Sequence, residues 1–161
     1  MKIYMIDFHG TLMVSDGQVK KESFLSFYPI RKVIGFLSGF KFFIRISNSV
    51  LYPNAELIER LNKIGRSSSV MIFVVSAAHE TARDIMEEDI KSIGLENFSG
   101  LILRDDFFES HTHYKVRIAK KLSADVVVED CFHYGRAIKN ALREDGKEAE
   151  VRCPDWHSIL A

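Results

Sequence analysis

The feature that most constrains this chain is a short apolar run that stops on a carboxylate. Ile3-Tyr4-Met5-Ile6-Asp7 leads directly into Phe8-His9-Gly10-Thr11-Leu12. A strand followed by a Gly-Thr turn places one Asp at the strand's carboxyl end, where open α/β sheets collect their ligands. Two later runs, Val70-Met71-Ile72-Phe73-Val74-Val75 and Val126-Val127-Val128, are apolar throughout rather than alternating. Strands covered on both faces need that pattern, as in a parallel sheet between two helical layers.

The intervening segments have helical periods. Ala55 to Ile64 carries Leu57, Ile58, Leu61 and Ile64 on one face, with Asn54 as N-cap and Gly65 as C-cap candidate. Thr81 to Ile93, closed by Gly94, Tyr114 to Leu122 and Gly135 to Arg143 are expected helices. Leu101 to Leu103 and Glu148 to Arg152 complete the expected strands. Strands alternating with helices predict a three-layer α/β sandwich around a parallel sheet of about five strands. A length of 161 residues suits one domain over 1–161.

Val19 to Leu51 stands apart. It is dense in aromatic and basic residues, among them Phe24, Phe27, Tyr28, Phe36, Phe40, Phe42, Phe43, Arg31, Lys32, Lys41 and Arg45. The expectation is a small helical cap or insert at 19–51, with a subunit interface and a membrane-surface helix as alternatives. The stretch around Phe36 to Ile44 has no clean polar face, which favours burial in protein.

Lys plus Arg equals Asp plus Glu at 22 each, so nothing global points to nucleic acid. Cys131 and Cys153 form no zinc-like pair. They read as reduced thiols of a cytoplasmic protein. No basic region precedes an apolar leader, and no apolar run is long enough to span a bilayer. Exposed Phe residues make a homodimer unsurprising.

Four short motifs follow one another: Asp7-Phe8-His9-Gly10-Thr11, Ser76 after a buried strand, Lys115 on a helix, and Glu129-Asp130 at a strand end. In order and position they resemble the haloacid dehalogenase-like (HAD) hydrolases, whose first motif reads Asp-x-Asp-Gly-Thr. The resemblance covers most of the chain except the Phe-rich stretch. The departure is His9, which stands where the family's phosphatases carry their second Asp.

The resemblance implies a Mg2+-dependent phosphomonoesterase acting on a small phosphorylated substrate. Asp7 matches the nucleophile, which divides one hard step into two through an aspartyl-phosphate. Asp7, Asp130, Glu129 and the backbone carbonyl of His9 match the metal environment. Lys115 and Ser76 match the groups that hold the phosphoryl oxygens, with Ala77 and Gly10 beside them. His9, with an ordinary pKa near 6.5, takes the place of the acid-base Asp. The same substitution opens the alternative of a catalytically weak or inactive domain that binds a phosphate ligand or a protein partner. Dehalogenases of the family carry a Tyr at that position and lack the phosphatase metal chemistry.

Each motif also has a structural explanation. Asp7 and Thr11 are able to cap a turn, Glu129-Asp130 to cap the next helix, and Lys115 to be a solvated helix residue. His111 and His113 suit a polar loop better than a metal site. His79 and His133 fall close enough to the motifs to line a rim. Cys131 suits a small buried position.

Overall fold

The computed structural model describes residues 1–14 and 51–152. The Phe-rich stretch, apart from Leu51, lies outside the described residues, as does Cys153. β1 (Lys2–Asp7), β4 (Val70–His79), β5 (Gly100–Arg104), β6 (Val126–Val128) and β7 (Glu150–Arg152) form one five-stranded sheet. Its order is β5-β4-β1-β6-β7, and every pairing is parallel. A two-stranded antiparallel ribbon, β2 (Met13–Val14) with β3 (Tyr52–Pro53), brackets the chain that leaves and re-enters after β1.

The period-2 geometry of strands divides their side chains between two cores. Ile6, Val74, Val126 and Val128 face helices α1 (Ala55–Gly65) and α2 (Arg83–Ser92), packing with Leu57, Ile58, Leu61, Ile85, Met86 and Ile90. Met5, Val75 and Val127 face α3 (His111–Leu122) and α4 (Phe132–Glu144), against Tyr114, Ile118, Ala119, Ile138 and Leu142. Helices therefore cover both faces, and the expected α/β sandwich with five parallel strands is the observed one.

Local signals explain most boundaries. Asn54 caps α1 by accepting from Leu57 N at 3.3 Å. Asn54 also donates to Leu12 O from its backbone and to Thr11 O from its side chain, tying α1 to the loop after β1. Several expectations need correcting. Gly65 is the last residue of α1 and not its cap, which is Arg66 in right-handed conformation. Its lack of a side chain serves packing: a Cβ there would lie 2.2 Å from Asn97 O. Glu80–Ala82 forms a 3-10 turn before α2, with His79 capping it through Thr81 N, so the α-helix starts later than Thr81. β4 runs on through Ser76 to His79 past a register shift. α3 begins at His111 because Ser110 caps it by accepting from His113 N at 3.2 Å. His111 and His113 thus belong to a helical first turn, where apolar periodicity alone gave no sign of a helix.

Among the described residues, no helix is long and apolar enough to cross a membrane.

Candidate functional site

The connections after β1 and β6 leave toward opposite helical layers, so a crevice opens between the carboxyl ends of these neighbouring strands. That is the switch point at which open α/β sheets bind ligands. Asp7 ends β1, and the Ile6–Val128 register puts Glu129 beside it. On the other side Asp7 pairs with Val75, so Ser76 follows one position beyond. The loop after Asp7 is closed by the backbone: Leu12 N and Met13 N both donate to Phe8 O, and Gly10 N donates to Met13 O at 2.7 Å. Gly10 has φ +84°, a left-handed conformation open to glycine at little cost.

Lys115, in the middle of α3, reaches into this crevice with only 4% of its surface exposed. Its Nζ donates to Asp7 Oδ1 at 2.8 Å and to Glu129 Oε2 at 2.6 Å. Glu129 Oε1 accepts from Cys131 N at 3.3 Å. The Tyr134 ring lies over the ammonium, 4.8 Å from Nζ to the ring centroid. Asp130 completes the group: oxygen atoms of Asp7, Glu129 and Asp130 all lie within 4.8 Å of one another.

The electrostatics follow from burial. Removal from water pushes the Glu129 carboxyl well above the usual carboxylate range, and the Asp7 charge adds to this against the pull of Lys115. Burial and Asp7 likewise push Asp130 up to about 6. Burial pulls Lys115 down, but the two carboxylates outweigh it and hold the ammonium charged. Three acidic groups face one ammonium, so full ionisation leaves surplus negative charge. An all-oxygen set with that surplus suits a hard divalent cation. Among the described residues it is the one His/Cys/Asp/Glu group dense enough to hold a metal.

Ser76 is wholly buried. Its Oγ accepts from Ala78 N at 3.2 Å and lies 3.3 Å from His9 Nδ1. The crevice therefore brings together Asp7, His9, Ser76, Lys115, Glu129 and Asp130, drawn from the carboxyl-terminal parts of three strands, β1, β4 and β6, and from one helix. Ala77 is half-buried on β4. Gly10 is buried, and its amide is directed to Met13 O rather than outward.

The structural explanations of these motifs fare poorly. Thr11 Oγ1 is buried with no hydrogen-bond partner among the described residues, so it does not cap the turn. The N-cap of α4 is Cys131, without a side-chain cap bond, so neither Glu129 nor Asp130 fills that role. Cys131 is half-buried and not enclosed. The other histidines have structural or surface positions. His79 caps the 3-10 turn and stacks on Phe107 at 3.5 Å. His113 is largely exposed beside Glu109, and His133 is exposed. Sequence reasoning missed Tyr134. Its only local signal is an aromatic residue in the first turn after the acidic pair.

No protein-family model matches the sequence, and no curated protein matches it. Solved structures do match. The HAD domain of effector protein Lem4 from Legionella pneumophila aligns over 99% of this chain and 92% of its own, at 16% identity and a TM-score of 0.53. An inactive mutant of that domain aligns over 99% and 90%, at 15% identity and a TM-score of 0.54. The Pnkp1/Rnl/Hen1 complex contributes a chain that matches 94% of this one but only 45% of its own length, at 11% identity and a TM-score of 0.57. Likeness at such identity concerns architecture, and the architecture it establishes for this chain is the HAD-like fold.

Proposed function

We propose that this chain hydrolyses phosphomonoesters through an aspartyl-phosphate on Asp7. The observation that carries the reading is the buried Lys115 ammonium bound to Asp7 and Glu129, with Asp130 alongside. A fold has no structural need to bury two acidic groups around one cation with a third, half-buried one beside them, and such an arrangement is expensive unless it serves a ligand.

In this reading Asp7 attacks phosphorus and forms an acyl-phosphate bond, and the alcohol leaves with a proton from His9. Water then attacks the same phosphorus, giving its proton to His9, so that phosphate departs and Asp7 is regenerated. Such acid-base help is worth about 10²- to 10⁴-fold. Ser76 supports this role for His9. Its Oγ accepts from Ala78 N and has a second lone pair for a proton on His9 Nδ1. The imidazolium then offers its Nε2 proton to the leaving group, and the neutral ring, still protonated on Nδ1, accepts the proton of water at Nε2. Lys115 neutralises Asp7 and one phosphoryl oxygen. Gly10 shapes the turn instead of donating to the substrate, and Ala77 lines the entrance beside Ser76. Asp7, Asp130 and the carbonyl of His9, with Glu129 behind them, would hold Mg2+, which when bound supplies positive charge between two approaching anions.

The test is phosphate release from a panel of small phosphomonoesters with Mg2+ or with EDTA, for wild type, Asp7→Asn and His9→Asp. Turnover by wild type that Asp7→Asn abolishes is the expected result. The second reading, a phosphate-binding domain without turnover, draws on His9 itself. An inert wild type with a Mg2+-dependent His9→Asp would establish it.

A further inference from the structure

We propose that Tyr134 is a positioning residue for this chemistry, its ring face holding the Lys115 ammonium against Asp7 and Glu129. The inference rests on the hydrolase reading above for its catalytic consequence, but on geometry alone for the contact. An ammonium has three protons and a flexible four-carbon stem. Two protons are directed to Asp7 Oδ1 and Glu129 Oε2. The ring of Tyr134, 4.8 Å away, covers a further side of Nζ. The negative face of an aromatic ring attracts a cation, and more strongly where water is excluded. Lys115 is nearly inaccessible, so this contact is of the desolvated kind.

The fold makes the contact dependable. Tyr134 lies in the first turn of α4, directly after the acidic pair, and Lys115 lies on α3. α3 and α4 pack side by side through Tyr114, Ile118, Ile138 and Leu142. The segment that carries Glu129 and Asp130 therefore also carries the ring. A hydrated or swinging ammonium would screen Asp7 less directly while charge is redistributed onto the phosphoryl oxygens. The loss should fall on kcat, since Tyr134 is not among the groups assigned to the substrate.

Three variants separate a ring contact from bulk or hydroxyl chemistry: Tyr134→Phe keeps the face, Tyr134→Leu keeps apolar volume, and Tyr134→Ala removes both. The first readout needs no turnover. In NMR of the full chain, the Lys115 ε-methylene protons should be shifted upfield by the ring in wild type and Tyr134→Phe, and not in Tyr134→Leu. The second is the rise in melting temperature on adding Mg2+ with beryllium fluoride, retained in Phe and reduced in Leu. The third is kinetic: about a tenfold loss of kcat in Leu, with KM within about twofold, and at least a third of wild-type kcat in Phe.

A Leu variant with wild-type kcat overturns the proposal, as does a Phe variant impaired as much as Leu. If wild type hydrolyses nothing, the hydrolase reading fails by itself. Tyr134 is then judged on the ring shift and on the beryllium fluoride response, and equal responses in wild type and Leu overturn it.

Discussion

Lys115 Nζ and Asp7 Oδ1 meet at 2.8 Å although 108 residues separate them in the chain. The ammonium binds Glu129 as well, so one cation holds together the ends of β1 and β6. Lys115 is therefore both a structural clamp and the group that makes a buried Asp7 tolerable.

Removing that clamp should destabilise the fold severely. Lys115→Met leaves Asp7 and Glu129 facing each other in a buried site, and breaking such a pair costs about 3–5 kcal/mol. Adding Glu129→Gln should recover part of the loss by removing one of the two opposed charges. Urea denaturation of both variants checks this. A Lys115→Met protein as stable as wild type would show that the site hydrates freely.

Asp130 should trade stability for cation binding. Its carboxyl titrates in the fold at about 6, above the ordinary value of 3.8. The native state then binds more protons than the unfolded state between those values. Stability falls as pH rises through that window, and the whole penalty is present at pH 7. Asp130→Asn should thus stabilise the protein in EDTA at pH 7, by about 1 kcal/mol after allowing for partial exposure. The same variant should lose the Mg2+-induced rise in melting temperature. Calorimetry with and without Mg2+ measures both effects.

Gly65→Ala pits two forces against each other. Ala favours a helix over Gly by about 1 kcal/mol. Here, however, the new Cβ would lie 2.2 Å from Asn97 O and 2.9 Å from Asn97 Cβ, both fixed groups of the neighbouring loop. Overpacking should win, with a net loss of about 1–3 kcal/mol by chemical denaturation. A neutral or stabilised variant would show that the loop yields.

Glu109 supplies a pH signature away from the site. Arg117 grips both its oxygens at 2.9 and 2.7 Å, and these hydrogen bonds hold its carboxyl below the usual range. A depressed native pKa gives stability that is present above the unfolded value and lost as pH falls through the native one. Glu109→Gln should destabilise by about 1–2 kcal/mol at pH 7. The difference from wild type should close as the pH is lowered below about 4. Melting curves of the two proteins across pH 3 to 7 test this, and a constant gap would count against the ion pair.

Local patterns made much of the architecture legible. Asn54 caps a helix because its side chain is next to the amides it serves. Val126 to Val128 is apolar throughout because both faces of β6 are covered. Asp7 ends a strand because the apolar run ends there. Alternation of such segments is enough to determine a layered α/β fold, since both periodicities and caps act within a few residues.

The start of α3 was hidden because His111 to His113 has no apolar stripe and depends on Ser110 for its start. Gly65 suggested a cap, since a glycine's reason is invisible until the loop carrying Asn97 closes on it.

The chain alone thus determined a parallel sheet, its helices and a carboxylate at the end of β1. Only the tertiary structure decided that Lys115 is buried between Asp7 and Glu129, that His9 meets Ser76, and that Tyr134 covers the ammonium. The physical reason is range. Secondary structure follows from interactions between near neighbours in sequence. The charge pairs of the crevice arise only when crossovers bring the ends of β1, β4 and β6 together beneath α3 and α4 and exclude water from between them.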